Sequence, residues 1–117
     1  SEIRMRRLRR YPPFADLFSF TVTGSDESRV IRAAKALRDA LGYAVERREE
    51  LKPLSIEVLG PAGASVVKVN NRYRYRVFLV GKGCPALRRL VAEYLYAFYQ
   101  HKENRGLDIF ADCNAIQ

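Results

Sequence analysis

Residues 71–80 (NRYRYRVFLV) constrain the fold more than any other part of the chain. Arginine and tyrosine alternate over the first half of this stretch, and the second half is apolar. Because successive side chains of an extended strand point to opposite faces, the run predicts a strand with tyrosines on one face and arginines on the other. Unpaired guanidinium groups are costly to bury, so we expect the arginine face to meet solvent or a partner.

The periodicity of the remaining segments places this strand third in the order β-α-β-β-α-β. Alternation predicts the other strands over residues 15–23, 55–59 and 107–111, and helical spacing of apolar residues predicts helices over 26–41 and 85–100. Gly42 is expected to end the first helix, and residues 60–64 (GPAGA) are expected to form a loop or tight turn. Residues 43–54 give no clear pattern.

This order is typical of an α+β, ferredoxin-like two-layer sandwich, in which both helices cover one face of a four-stranded sheet. The second face is expected to be open. By alternation it carries a polar set with basic and aromatic members: Ser19, Thr21, Glu57, Arg74, Arg76, Phe78, Asp108 and Phe110.

Charge indicates the kind of partner. The chain has a net charge of +8, with 21 basic against 13 acidic residues, and most of the basic residues are arginine. Such a surplus favours an anionic partner, and the planar guanidinium suits phosphates and bases, although a high-GC genome also enriches arginine. Two distant cysteines match no zinc spacing, and charges interrupt every long apolar stretch, so we expect a reduced, cytoplasmic protein without a membrane partner.

The sequence contains no recognisable catalytic constellation. His101 is the only histidine, and no glycine-rich phosphate-binding motif is present. Asp108 and Asp112 are interpreted as charge balance, not as a metal pair. We therefore expect neither enzymatic activity nor a bound cofactor or metal in this chain by itself.

The candidate nucleic-acid contacts cluster around the arginine–tyrosine strand and the basic N-terminal arm. They are Asn71, Arg72, Tyr73, Arg74, Tyr75 and Arg76, with Lys68, Lys82, Arg6, Arg7, Arg9 and Arg10. Arginines would hold phosphates, and exposed aromatic rings could stack on bases. Alternatively, Glu57 pairs with Arg74 or Arg76 across neighbouring strands, and the tyrosines simply face the core.

Four motifs occur in the order and spacing of a known family. They are an arginine-rich approach to Tyr-Pro-Pro-Phe (residues 6–14), Leu-Gly-Pro-Ala (59–62), an Arg-Tyr-Arg-Tyr strand ending near a lysine (72–82), and Asp-Cys-Asn-Ala (112–115). With these the chain resembles the C-terminal domain of primosomal protein N′, the replication-restart helicase PriA. The chain departs from the family pattern at Ala115, which replaces a proline, and at residues 63–65, which replace a second Pro-Ala pair.

The resemblance implies a fold similar to ribosomal protein S-ten and a domain that helps a helicase bind single-stranded and branched fork DNA. It also implies that ATP, magnesium and zinc sites lie elsewhere in a longer bacterial, nucleoid-associated protein. The chain begins without methionine, so we expect a fragment in which residues 1–13 are a basic arm or connector and residues 14–117 are one domain. Other helicase domains, primosome proteins or single-strand-binding proteins are the implied partners.

Two other functions remain open from the sequence. The domain could be a docking module that packs on other helicase domains or on a partner protein. It could also be an RNA-binding domain of the ribosomal type.

Overall fold

The computed structural model describes residues 16–81 and 85–113, without the side chains of residue 16 and residues 64–67. In chain order its elements are β1 (Asp16–Gly24), α1 (Glu27–Arg47), β2 (Glu57–Val69), β3 (Arg72–Gly81), α2 (Pro85–Gln100) and β4 (Asp108–Cys113). Single 3₁₀ turns at Lys52–Leu54 and Lys102–Asn104 lie after the two helices.

The four strands form one sheet in the order β2-β3-β1-β4. β3 pairs antiparallel with both β1 and β2, and β4 pairs antiparallel with the other side of β1. This arrangement is the predicted ferredoxin-like two-layer sandwich, and the prediction of fold class is confirmed.

The main core lies between the helices and one face of the sheet. Phe20 and Val22 of β1 and Leu79 of β3 are completely buried there, together with Val30 of α1 and Leu87 of α2. Full burial of such a side chain stabilises the fold by about 1.5–3 kcal/mol. The core therefore fixes β1 and β3 at the centre of the domain.

Helix α1 is longer than predicted. Asp26 begins it as N-cap, its carboxylate accepting a hydrogen bond of 3.4 Å from the amide of Arg29. The expected end at Gly42 is wrong, because the helix continues to Arg47. A glycine costs a helix only about 1 kcal/mol, and burial of Ala44 and Val45 beyond it outweighs that cost.

The extent of strand β2 shows that a second prediction, for residues 60–64, is wrong. Residues 60–64 are not a loop; they belong to β2, whose pairing with β3 shifts register between Leu59 and Ala62 and again between Gly63 and Lys68. Because β2 is an edge strand, Pro61 removes no amide that an inner strand would need. The turn lies at Asn70 and Asn71, both with positive φ, and so it is a two-residue hairpin turn matched to strand twist.

The sheet face away from the main core is less open than predicted. Leu17, Phe78 and Val80 form a second buried cluster on it, with Leu59 packed against them. Register explains the cluster, because Leu17 lies opposite Val80 and Leu59 lies opposite Phe78.

The central polar side chains of this face also lie below the surface. Ser19 and Thr21 are buried on the middle strand, and the exposed members of the predicted set are Asp108 and Phe110 of β4. The expectation of an open polar face therefore holds at its β4 edge alone.

Candidate nucleic-acid interface

Three arginines of β3 form a row on the sheet face opposite the main core. Arg72, Arg74 and Arg76 alternate with Tyr73 and Tyr75, and all five side chains are half-buried. The tyrosines pack against the main core, as one of the sequence interpretations required. The row thus carries positive charge on one side of β3, and the tyrosines on the other side of the strand pack against the main core.

Arg72 links three strands of the sheet. Its Nη2 donates to the carbonyl and hydroxyl oxygens of Thr23 on β1, both at 3.3 Å, and to Oδ2 of Asp108 on β4 at 2.9 Å. The bond to Asp108 is also an ion pair in which both side chains are partly exposed. Part of the charge of Arg72 is therefore already balanced within the fold.

Arg76 lies farther along the same row. The register places it opposite Thr21 of β1 and Ala62 of β2. Its Nε is buried and has no hydrogen-bond partner within the part of the chain that the structure describes. A buried guanidinium donor without an acceptor is unfavourable.

The expected pairing of Glu57 with Arg74 or Arg76 stays a prediction, and neither arginine lies directly opposite Glu57 in the strand register. Glu57 lies opposite Val80, whereas Arg74 lies opposite Thr23 and Arg76 opposite Ala62.

The two tyrosines of β3 make polar contacts with residues of other elements. The hydroxyl of Tyr75 donates to Oε2 of Glu27 at 2.6 Å. This hydrogen bond, together with burial and the charge of Glu27, raises the pKa of the Tyr75 hydroxyl. Nζ of Lys68 lies 5.2 Å from the centre of the Tyr73 ring, within the range of a cation–π contact.

The β2–β3 turn brings two further candidates beside the row. Lys68 and Asn71 are exposed, and Lys68 pairs with Tyr73 across the hairpin. The remaining candidates, Lys82, Arg6, Arg7, Arg9 and Arg10, lie outside the described residues. The structure therefore brings seven of the twelve candidates together on one hairpin.

Sequence reasoning missed the residues that hold this hairpin in place. Asp108 lies 36 positions from Arg72, and Glu27 lies 48 positions from Tyr75. Local periodicity cannot identify such partners. Knowledge of the strand order would have indicated Asp108, because β3 and β4 flank the same central strand.

The described residues offer no sign of metal chemistry or of a membrane span. Among them, no group of three or more His, Cys, Asp and Glu side chains could hold a metal ion. Neither of the two described helices is long and apolar enough to cross a membrane.

Comparison with known proteins agrees with the motifs. The family model for the primosomal protein N C-terminal domain matches residues 7–114. A probable replication restart protein PriA of Deinococcus radiodurans is 36% identical over 91 residues, 78% of this chain and 9% of that protein. The replication restart protein PriA of Synechocystis is 30% identical over 78 residues, 67% of this chain and 8% of that protein.

The PriA of Rickettsia felis is 28% identical over 80 residues, 68% of this chain and 11% of that protein. The chain thus spans about a tenth of the length of the curated relatives that it matches. Among solved structures, the de novo designed protein Foldit4 superimposes with a TM-score of 0.60 at 14% identity, covering 88% of this chain and 99% of that one. At that identity the likeness shows the fold alone.

The designed protein supports the two-layer architecture, and the relatives carry the same domain within much longer replication proteins. With a family model that covers nearly the whole chain, this protein belongs to the family of primosomal protein N C-terminal domains.

Proposed function

We propose that this domain binds single-stranded and branched DNA within a replication-restart protein. The phosphate-binding surface is the arginine row, defined as Arg72, Arg74 and Arg76 of β3, together with Lys68 and Asn71 at the adjacent turn. The net charge of +8 supports this proposal, because nucleic-acid binding by phosphate contacts needs such a surplus.

The observation that carries the proposal is the environment of Arg76. Its buried Nε lacks a hydrogen-bond acceptor in the described part of the chain, and Arg74 is two residues away on the same side of the strand. An outward turn of the half-buried Arg76 side chain would bring this donor to a phosphate oxygen, which would satisfy it with a charge-assisted hydrogen bond. Phosphate contacts carry no sequence information, so the domain would recognise DNA structure and charge, not base sequence.

The proposal extends to the longer protein. This domain would act beside a helicase whose ATP, magnesium and zinc sites lie outside residues 1–117, in the bacterial cytoplasm and associated with the nucleoid. Primosome proteins and single-strand-binding proteins are the proposed protein partners. This chain itself would supply DNA affinity and no catalysis.

The test is a fluorescence-anisotropy titration with single-stranded, duplex and forked DNA at two salt concentrations. Reversing Arg72, Arg74 and Arg76 to Glu should weaken binding by at least about tenfold and flatten its salt dependence, because fewer counterions are released. The matched control reverses Lys35, Arg88 and Arg89, which are exposed on the helices, and so changes the net charge equally.

Circular dichroism and thermal unfolding must show that the variants are folded. Because Arg72 also bonds to Asp108, a second variant changes Arg74 and Arg76 to Gln and keeps Arg72. Equal losses in the row variants and in the control would mean that net charge alone attracts DNA. Unchanged affinity in folded row variants would refute the assignment of the site.

The principal alternative is a docking module for other domains of the longer protein. The cross-strand bonds of Arg72 favour it, since they show that part of the basic row has a structural role. Absence of DNA binding at low salt, combined with binding to the remainder of the longer protein, would establish this alternative. Preference for RNA over DNA hairpins at equal salt would instead indicate a ribosomal-type function.

A further inference from the structure

A concave surface lies on the side of the domain away from the arginine row. A groove of about 300 Å³ runs between α1 and α2 and ends at the turn after α2. We infer that this groove receives one nucleotide of a single-stranded nucleic acid, with the base between the helices and its phosphate at Arg29 and Arg32. The inference rests on the proposed function, because it assumes that the chain meets a nucleic acid.

The interior of the groove suits a flat, uncharged ring. Ala36 and Ala40 of α1 and Ala97 of α2 leave the two helices separated there, and the rings of Tyr94 and Phe98 form part of the wall. Aromatic and aliphatic surfaces stack on every base without selecting its sequence. A volume of this size is at the lower end of the range for small-molecule pockets.

One end of the groove is basic. Arg29, Arg32 and His101 lie at that end, with Glu103 as the acidic residue beside them. The side chain of Arg32 is exposed and makes no hydrogen bond or ion pair with any other described residue. Charge complementarity therefore favours an anionic group next to an apolar one, which is the chemistry of a nucleotide.

Arg29 is held in place before any ligand arrives. Its Nη2 donates to the carbonyl oxygens of Glu103 at 2.9 Å and of Arg105 at 2.6 Å. A guanidinium has five N–H donors, so the Nε and Nη1 donors of Arg29 remain for a phosphate. A cation that is already oriented loses less side-chain entropy when it binds an anion.

Asn104 adds a polar group near the same end. Its Nδ2 donates to the carbonyl of Phe98 at 2.8 Å, which fixes the orientation of the amide. Its Oδ1 is then an acceptor in the groove lining that could meet an N–H on a base edge. The groove thus combines stacking surface, one oriented amide and two guanidiniums.

The test begins with thymidine 5′-monophosphate titrated into the ¹⁵N-labelled 117-residue chain. We expect chemical-shift changes concentrated at the groove, including Ala36, Ala97 and Arg29. Thymidine alone and inorganic phosphate alone should each shift fewer of these residues. Equal shifts with inorganic phosphate alone would overturn the inference, because the base would then be making no contact.

Groove-filling variants provide the second measurement. Ala36→Leu and Ala97→Leu keep good helix formers and occupy the space for the base, whereas Ala92→Leu makes the same change on the exposed side of α2. The two groove variants should weaken binding of a short oligothymidylate by about tenfold, and Ala92→Leu should not, since stacked bases contribute that much. Arg32→Glu should weaken binding more than Lys35→Glu, its exposed neighbour on α1.

The outcomes separate this inference from the proposed function. If the arginine-row variants weaken DNA binding while the groove variants and the mononucleotide have no effect, the groove inference is wrong and the proposed function stands. If nucleotide binds in the groove and the arginine-row variants do not weaken DNA binding, the assignment of the arginine row as the phosphate-binding surface is wrong instead. Binding of an apolar or acidic peptide in the groove, with no response to nucleotide, would also refute the inference.

Discussion

The two halves of β3 differ in what lies on their faces. The second half, from Val77 to Gly81, is buried on both sides: Val77 and Leu79 enter the main core, and Phe78 and Val80 enter the second cluster. The first half is half-buried on both sides, with tyrosines at the rim of the core and arginines on the opposite face.

The contrast shows how one strand both anchors the domain and presents a binding surface. Side chains that must bind a ligand are best placed on an element that does not move, and the buried half of β3 provides that rigidity. The half-buried half is oriented by side-chain bonds to other elements, such as those of Arg72 to Asp108 and of Tyr75 to Glu27. Damage to the buried half should therefore affect stability, and damage to the other half should mainly affect binding.

The largest effect is expected from Leu79→Ala in the buried half. Leu79 is completely buried, so its truncation should cost about 2–5 kcal/mol of unfolding free energy through lost burial and an unfilled cavity. Urea unfolding followed by circular dichroism measures this loss. Phe110→Ala, at a side chain that is 45% exposed, is the control and should cost much less. Similar losses at both positions would contradict the contrast between the regions.

Arg72→Ala tests whether the arginine row is partly structural. Removing the bonds to Thr23 and Asp108 should cost about 1 kcal/mol, since the guanidinium is only half-buried. Comparing the thermal unfolding of Arg72→Ala with that of Arg72→Lys separates loss of the planar guanidinium geometry from loss of the positive charge. An unchanged melting temperature in Arg72→Ala would show that these cross-strand bonds do not stabilise the sheet.

Tyr75→Phe should remove a single hydrogen bond to Glu27 and cost about 1 kcal/mol at neutral pH. Because the folded-state pKa of Tyr75 is raised above the ordinary value of 10.0, its contribution is fully present below that value. The contribution is lost as the pH rises through the folded pKa. Absorbance titration of tyrosinate should show a late-titrating step that disappears in Tyr75→Phe, and retention of that step would refute the assignment.

The smallest effect is expected on the helical layer, at the ion pair between Arg48 and Glu93. Two hydrogen bonds of 2.8 and 2.7 Å join the groups, but half of the Glu93 side chain is exposed, so Glu93→Gln should cost about 0.5 kcal/mol. The bond from Arg48 lowers the pKa of Glu93 below its ordinary value of 4.5.

The contribution of Glu93 is therefore present above that ordinary value and is lost as the pH falls through the lower folded pKa. Thermal unfolding of the native chain and of Glu93→Gln should differ near neutral pH and converge in acid. A difference that grows in acid would have the wrong sign and would exclude this ion pair as its cause.

The order of elements could be predicted because local periodicity determines it. Phe18, Phe20 and Val22 alternate as a half-buried strand must, and the inward side of Tyr73 and Tyr75 follows from the same rule. The true extent of β2 could not be predicted in this way. Gly60 and Pro61 have the composition of a turn, and only the position of β2 at the sheet edge makes them acceptable in a strand.

The candidate site was predicted by its charges and not by its contacts. The seven residues of the β2–β3 hairpin were identified from composition and alternation, but the ion pair between Arg72 and Asp108 depends on which strands flank β1. No sequence pattern indicated the groove between the helices. Its residues are spread over α1, α2 and the following turn, and the alanines that open it are ordinary helix formers.

Tyr99 has a consequence for how this domain behaves in concentrated solution. Its hydroxyl accepts a hydrogen bond from the amide of Ile109 at 3.0 Å and lies 3.3 Å from the carbonyl oxygen of the same residue. These two groups lie on β4, an outermost strand of the sheet, where a strand from another molecule could extend the sheet. The phenol engages this amide and carbonyl, and so it removes them from pairing with a strand of another molecule.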